Sequence, residues 1–140
     1  MPDSQQEHFI STIRRRKCFF DALTDPYVEH IYEIYDGILS EFEELSADEQ
    51  TRNMSGTSSE GMDQMIDYIY DHYDNFRLLL KCGDSGKFED FIHNMVEREV
   101  EASQKYMKAM CDAGIEFPAV SKSLMHMIYT GFFFISTADY

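Results

Sequence analysis

The stretch DPYVEHIYEIYDGILSEF, residues 25–42, decides the fold class. Tyr27, Val28, Ile31, Ile34, Tyr35, Ile38, Leu39 and Phe42 recur at i, i+3 and i+4, and Glu29, Glu33, Asp36 and Glu41 lie largely off that stripe. A half-buried strand would alternate with period two, so this spacing predicts an amphipathic helix. Asp25 is a good N-cap, and Pro26 suits a first helical position, where its missing N–H would be unpaired anyway. The step Thr24-Asp25-Pro26 therefore predicts a break: one helix from about Gln6 to Leu23, and a second beginning here.

The same periodicity extends in both directions. Phe9, Ile10, Ile13, Phe19, Phe20 and Leu23 give the first helix its apolar positions. Ser46-Ala47-Asp48-Glu49 has the pattern of a capping box and predicts a short polar helical turn. Residues 53–59 (NMSGTSS) read as a loop, and Thr57-Ser58-Ser59-Glu60 as a second capping box. The helix it opens carries Met62, Met65, Ile66, Ile69 and Tyr73. Asp74 then caps a short helix with Phe76, Leu79 and Leu80, stopped by Gly83 and the turn Gly83-Asp84-Ser85-Gly86.

The longest helix is expected from about Lys87 to Ala113, with Phe88, Phe91, Ile92, Met95, Val96, Val100, Tyr106, Met107 and Met110 on its stripe and Gly114 at its end. Phe117-Pro118 breaks the chain, and Ser121 caps a last helix that is apolar almost all round (Met125, Met127, Ile128, Tyr129, Phe132, Phe133, Phe134, Ile135). A helix without a polar face must be covered on more than one side. In so small a domain, a partner subunit is a natural cover. The expectation is an all-α bundle of about six helices.

The 140 residues suffice for one domain with a real core. The chain is 44% hydrophobic and 27% charged, which is ordinary for a globular protein, but its 14% aromatic share and nine Met stand out. The net charge is −14, and from Thr24 onward 8 basic residues face 23 acidic ones. Such a surface repels a polyanion, so the body of the chain is not a DNA-binding surface. The basic run Arg14, Arg15, Arg16 and Lys17 is too short to reverse this. Cys18, Cys82 and Cys111 have no CxxC spacing and read as reduced, small buried or neutral thiols of a cytoplasmic protein. The segment Leu124 to Ile135 falls short of the roughly 20 residues of a membrane span. No signal peptide is recognisable, and no membrane partner is expected.

Catalytic signatures are missing: no glycine-rich phosphate loop, no GxSxG, no HExxH. Di-iron bundles need two Glu-x-x-His pairs and further inward carboxylates. Asp90, His93 and Glu97 give one helix face and His30 with Glu33 another, without that repeat; His8, His72 and His126 carry less. No metal site, no cofactor and no enzymatic activity are assigned. Tyr and Met recur on core-facing stripes, where a plain bundle would favour Leu and Ile. Buried Tyr hydroxyls need partners, which a polar ligand in a cavity could supply.

Phe20-Asp21-Ala22-Leu23-Thr24-Asp25-Pro26-Tyr27-Val28 resembles the linker helix of tetracycline-repressor-type (TetR/AcrR) transcriptional regulators. Tyr73-Asp74-Asn75-Phe76-Arg77-Leu78-Leu79-Leu80, Phe88-Glu89-Asp90-Phe91-Ile92 and Glu97-Arg98-Glu99-Val100 resemble the middle of that family's sensor domain. The resemblance covers about residues 16 to 136, and the linker segment carries most of its weight. It implies a homodimeric, ligand-responsive repressor domain in which a small hydrophobic or amphipathic effector shifts the linker helix. Together with the stripes, it implies an effector pocket of Tyr27, Ile31, Ile34, Met65, Ile69, Phe91, Met95, Tyr129 and Phe133. A four-helix dimer interface would draw on Val100, Tyr106, Met107, Met125, Ile128 and Phe132.

The sequence departs from the family before Phe20. The helix-turn-helix headpiece of about three helices has no counterpart in the nineteen residues there. Thr12-Ile13-Arg14-Arg15-Arg16-Lys17-Cys18-Phe19 stands where relatives carry an aromatic pair and a Phe-Lys motif. Residues 1–15 are thus expected to be a degenerate segment in place of the headpiece, and 16–140 the ligand-sensing and dimerisation domain. Operator DNA would be reached only through a headpiece this chain lacks. At Asp139-Tyr140 the chain stops where relatives continue with another helix. The alternative expectation is a helical protein–protein interaction module with no ligand cavity.

Overall fold

A computed structural model describes residues 3–81 and 86–137, with the side chains of 54–58 and 135–137 excepted. The protein is all-α. The described residues form α1 (Ser4–Glu43), α2 (Ala47–Asp71), α3 (Tyr73–Lys81), α4 (Lys87–Asp112) and α5 (Lys122–Thr137). None of these helices is long and apolar enough to cross a membrane.

The break expected at Pro26 does not occur. α1 runs through it for 40 residues, a rod of about 60 Å. Pro26 cannot donate to the Ala22 carbonyl, and its ring crowds that same carbonyl. Two side chains bond backbone carbonyls on either side of it. Asn75 Nδ2 donates to Leu23 O across 2.8 Å, and the buried Thr24 hydroxyl donates to Phe20 O at 3.0 Å. The boundary drawn between residues 15 and 16 falls inside α1.

α2 also absorbs a predicted loop. Its start is the expected capping box, with Ser46 and Glu49 bonded reciprocally, but the backbone of 53–59 is helical. Poor helix formers there are carried by strong flanks: the cap on one side, and Met65, Tyr68 and Ile69 packed on α1 on the other. Gly61 sets how closely α2 approaches. A Cβ at this position would lie 2.6 Å from Ile38 Cδ1 and 3.0 Å from Cγ2. The buried Gln50 then closes α1 by donating to Phe42 O and Leu45 O.

α4 ends at Gly114, whose φ of 81° only glycine adopts freely. Ser121 caps α5 by accepting from Leu124 N. The Gly83 stop and Cys82 lie outside the described residues.

Direction follows from contacts. Asp25–Lys87, Tyr32–Asn94, Asp36–Arg98 and Glu43–Lys105 all join residues 62 apart, so α1 and α4 run parallel in one register. Tyr27–His72 and His30–Tyr68 ring contacts make α2 antiparallel to α1. α5 runs antiparallel to α4, with Phe88 against Phe134 at one end and Tyr106 against Phe117 at the other.

Two adjoining apolar clusters form the core. Ile31, Tyr32, Tyr35, Met65, Phe76, Leu79 and Met95 make the first; Ile92, Val96, Val100 and Met125 make the second. Burying each such aliphatic side chain stabilises the fold by roughly 1.5–3 kcal/mol before ordering costs.

Candidate functional site

The nine residues expected to line an effector pocket converge. Ile31, Met65 and Met95 are buried in the first cluster, with Tyr27, Ile34, Ile69, Phe91 and Phe133 packed on it. Tyr129 lies in the second cluster, which Phe91 and Phe133 also touch. The period-3.6 pattern found these residues because it reports which way a side chain faces.

Polar groups hidden among them escaped that pattern. Tyr35 Oη is buried beside the Glu99 carboxyl, short of full hydrogen-bond geometry. Burial, reinforced by the Glu99 charge, pushes the Tyr35 hydroxyl far above its ordinary range. Burial likewise raises Glu99, outweighing the lowering contact from Tyr35. On the α5 side, Tyr129 Oη and Ser103 Oγ share a 2.6 Å hydrogen bond. Two tyrosine hydroxyls and one carboxyl thus sit where an amphipathic molecule could exchange hydrogen bonds.

Two clefts are open elsewhere. One of about 190 Å³ lies between α1, α2 and α4, with Leu39, Phe42, Gln50 and Tyr106 in its wall. A shallower one follows α4, bounded by Cys111, Gly114, Ile115, Phe117 and Pro118. Neither is walled by any of the nine.

The six expected interface residues divide. Val100 and Met125 are buried within the chain's own core, and Tyr106 and Met107 are partly buried. Ile128 and Phe132 are exposed, as are Leu124, Met127 and Phe134 on the same helix, at 46–73% of their surface. Leu124, Ile128 and Phe132 are four residues apart and form one stripe along α5. α5 carries no Asp or Glu.

A second constellation spans α4 and α5. His93 and Glu97 lie one helical turn apart on α4, and His126 reaches them from α5. His126 Nε2 is 2.7 Å from Glu97 Oε1, Thr130 Oγ1 is 3.4 Å from His126 Nδ1, and the His93 and His126 rings are 5.6 Å apart. Asp90 takes no part. The sequence offered His93 and Glu97 as one face; His126 joins them only through the antiparallel packing.

The remaining candidates stay apart. His30 pairs with Glu33 on exposed surface and stacks on Tyr68. Arg14, Arg15, Arg16 and Lys17 are exposed on the first half of α1, beside exposed Phe9, Ile10, Ile13 and Phe19. Cys18 and Cys111 are exposed free thiols rather than buried ones.

No family model, curated protein or solved structure matches the chain.

Proposed function

We propose that this chain is a non-catalytic, homodimeric sensor domain of the kind tetracycline-repressor-type regulators carry, binding a small hydrophobic or amphipathic effector. The observation that carries the reading is the α5 face. Leu124, Met127, Ile128 and Phe132 are exposed on a helix without a carboxylate, in a chain of net charge −14. Two copies meeting over the carboxylate-rich faces from Thr24 onward would press acidic surfaces together. Meeting at α5, they bury apolar side chains and keep their charges apart. Two α4–α5 pairs would then form a four-helix bundle.

The sensing part rests on the convergence of the nine candidates with Tyr35, Glu99 and Tyr129. An effector shifts a dimer only if it prefers one arrangement. The core touches both α1, the proposed linker helix, and α5, so a molecule lodged there could bias their relative placement.

A second reading, an interaction module without a ligand cavity, is favoured by one observation. The nine residues pack on one another, and both described clefts lie elsewhere. A thermal-shift screen of hydrophobic and amphipathic small molecules separates the two, because a ligand of the folded state alone raises the unfolding midpoint. The sensor reading expects hits abolished by Met95→Ala together with Ile31→Ala. Silence across a diverse library leaves the interaction module.

A further inference from the structure

We propose that His93, Glu97 and His126 form a binding site for a divalent transition-metal ion of the zinc class, fastening α5 to α4. It goes beyond the sensor reading and does not depend on it.

The geometry comes first. Each of the three residues offers one donor atom, and these atoms all lie within 4.8 Å of one another. Zinc bonds of about 2.0–2.2 Å place tetrahedral donors some 3.4 Å apart. The difference of about 1.4 Å is on the scale that a change of side-chain rotamer covers. His93 and Glu97 share a face of α4 by their i, i+4 spacing. His126 enters from the opposite wall, so the donors surround a point instead of lining one side of it.

The donor set selects the ion. Two imidazoles and one carboxylate suit Zn²⁺, Co²⁺ or Ni²⁺, whereas Mg²⁺ and Ca²⁺ want oxygen throughout. His93 is exposed, so solvent reaches the site and water can complete the coordination. The surrounding charge of −14 favours a cation's approach.

Thr130 supplies the outer support. Without an ion, the Glu97 carboxylate can only accept, so His126 Nε2 carries the proton of their 2.7 Å contact. In the neutral imidazole Nδ1 is then the acceptor, facing the Thr130 hydroxyl 3.4 Å away. On metal binding the neutral imidazole changes tautomer: Nε2 gives up its proton, Nδ1 takes one up from solvent with no net release, Nε2 presents its lone pair to the ion, and Nδ1–H donates to Thr130. A threonine hydroxyl serves in either sense, and such outer contacts orient metal-binding histidines.

The test is calorimetric titration of the full, untagged chain with ZnCl₂. One Zn²⁺ per chain is expected, with affinity falling at least about a hundredfold, beyond what loss of an outer partner costs, in both His93→Ala and His126→Ala and unchanged in the control His30→Ala. Co²⁺ in place of Zn²⁺ should give visible absorption that the same two variants lose. His93 is exposed, so His93→Ala keeps its helical circular dichroism and decides the matter even if His126→Ala unfolds. The proposal is overturned by the absence of saturable binding, by native affinity in His93→Ala, or by native affinity in a folded His126→Ala.

Discussion

Asn75 Nδ2 donates to the Leu23 carbonyl across 2.8 Å, next to the carbonyl that Pro26 leaves without a backbone donor. This contact ties α3 to α1 beside the proline. Asn75→Ala should destabilise the protein by roughly 1–2 kcal/mol, since the carbonyl loses its partner in a half-buried place. Pro26→Ala should do the reverse, as an interior helical proline costs up to about 3 kcal/mol. Urea denaturation checks both; a destabilising Pro26→Ala would mean that the proline starts a separate helix.

Arg98 links α4 to α1 in two ways. Its guanidinium forks onto Asp36 at 2.8 and 3.4 Å and lies 4.1 Å from the Tyr32 ring centroid. Arg98→Ala should cost roughly 1–2 kcal/mol by urea denaturation. Arg98→Lys should recover little of it, because an ammonium neither forks nor stacks.

Gly61 faces the Ile38 side chain, which a Cβ would meet at 2.6 Å. Gly61→Ala combines a gain in helix propensity with a contact that Ile38 must yield to, and should change stability little. Gly61→Leu cannot be accommodated and should destabilise by roughly 1–3 kcal/mol, read as a lower thermal midpoint.

Glu99 gives a pH dependence of definite sign. Burial raises its carboxyl in the folded state, so between the ordinary carboxylate range and that raised value the folded chain holds more protons than the unfolded one. Stability from this group is therefore present at low pH and lost as pH rises through the folded value. Glu99→Gln removes the cost of burying a charge. It should be more stable than the native chain at pH 7, with the advantage shrinking as pH falls; urea midpoints across that range measure it.

Local chemistry was legible in the sequence where it acts alone. The Ser46–Glu49 box, the Ser121 cap, the Gly114 stop and the apolar stripe of α4 need only their neighbours, and the structure has each in place. Pro26 and residues 53–59 were misread because distant partners decide them: Asn75 is 52 residues from Leu23, and Ile38 receives Gly61 from another helix.

One long-range signal was present and went unread. Asp25, Asp36 and Glu43 on α1 are spaced as are Lys87, Arg98 and Lys105 on α4, and they pair in that order. Matching charge intervals announced two parallel helices. Nothing comparable pointed to His126, since which turn of α5 meets Glu97 depends on the length and path of residues 113–121. Of the candidate pocket, the side-chain directions were readable; the buried pair Tyr35 and Glu99 was not, because a polar residue on a stripe does not declare its partner.

The central claim is that a second copy covers α5, and light-scattering mass across a dilution series addresses it most directly. The native chain should measure twice 16.4 kDa, and Ile128→Glu combined with Phe132→Glu should measure a single chain with helical content intact. A native protein that remains 16.4 kDa at every concentration, or a dimer indifferent to both substitutions, would contradict it.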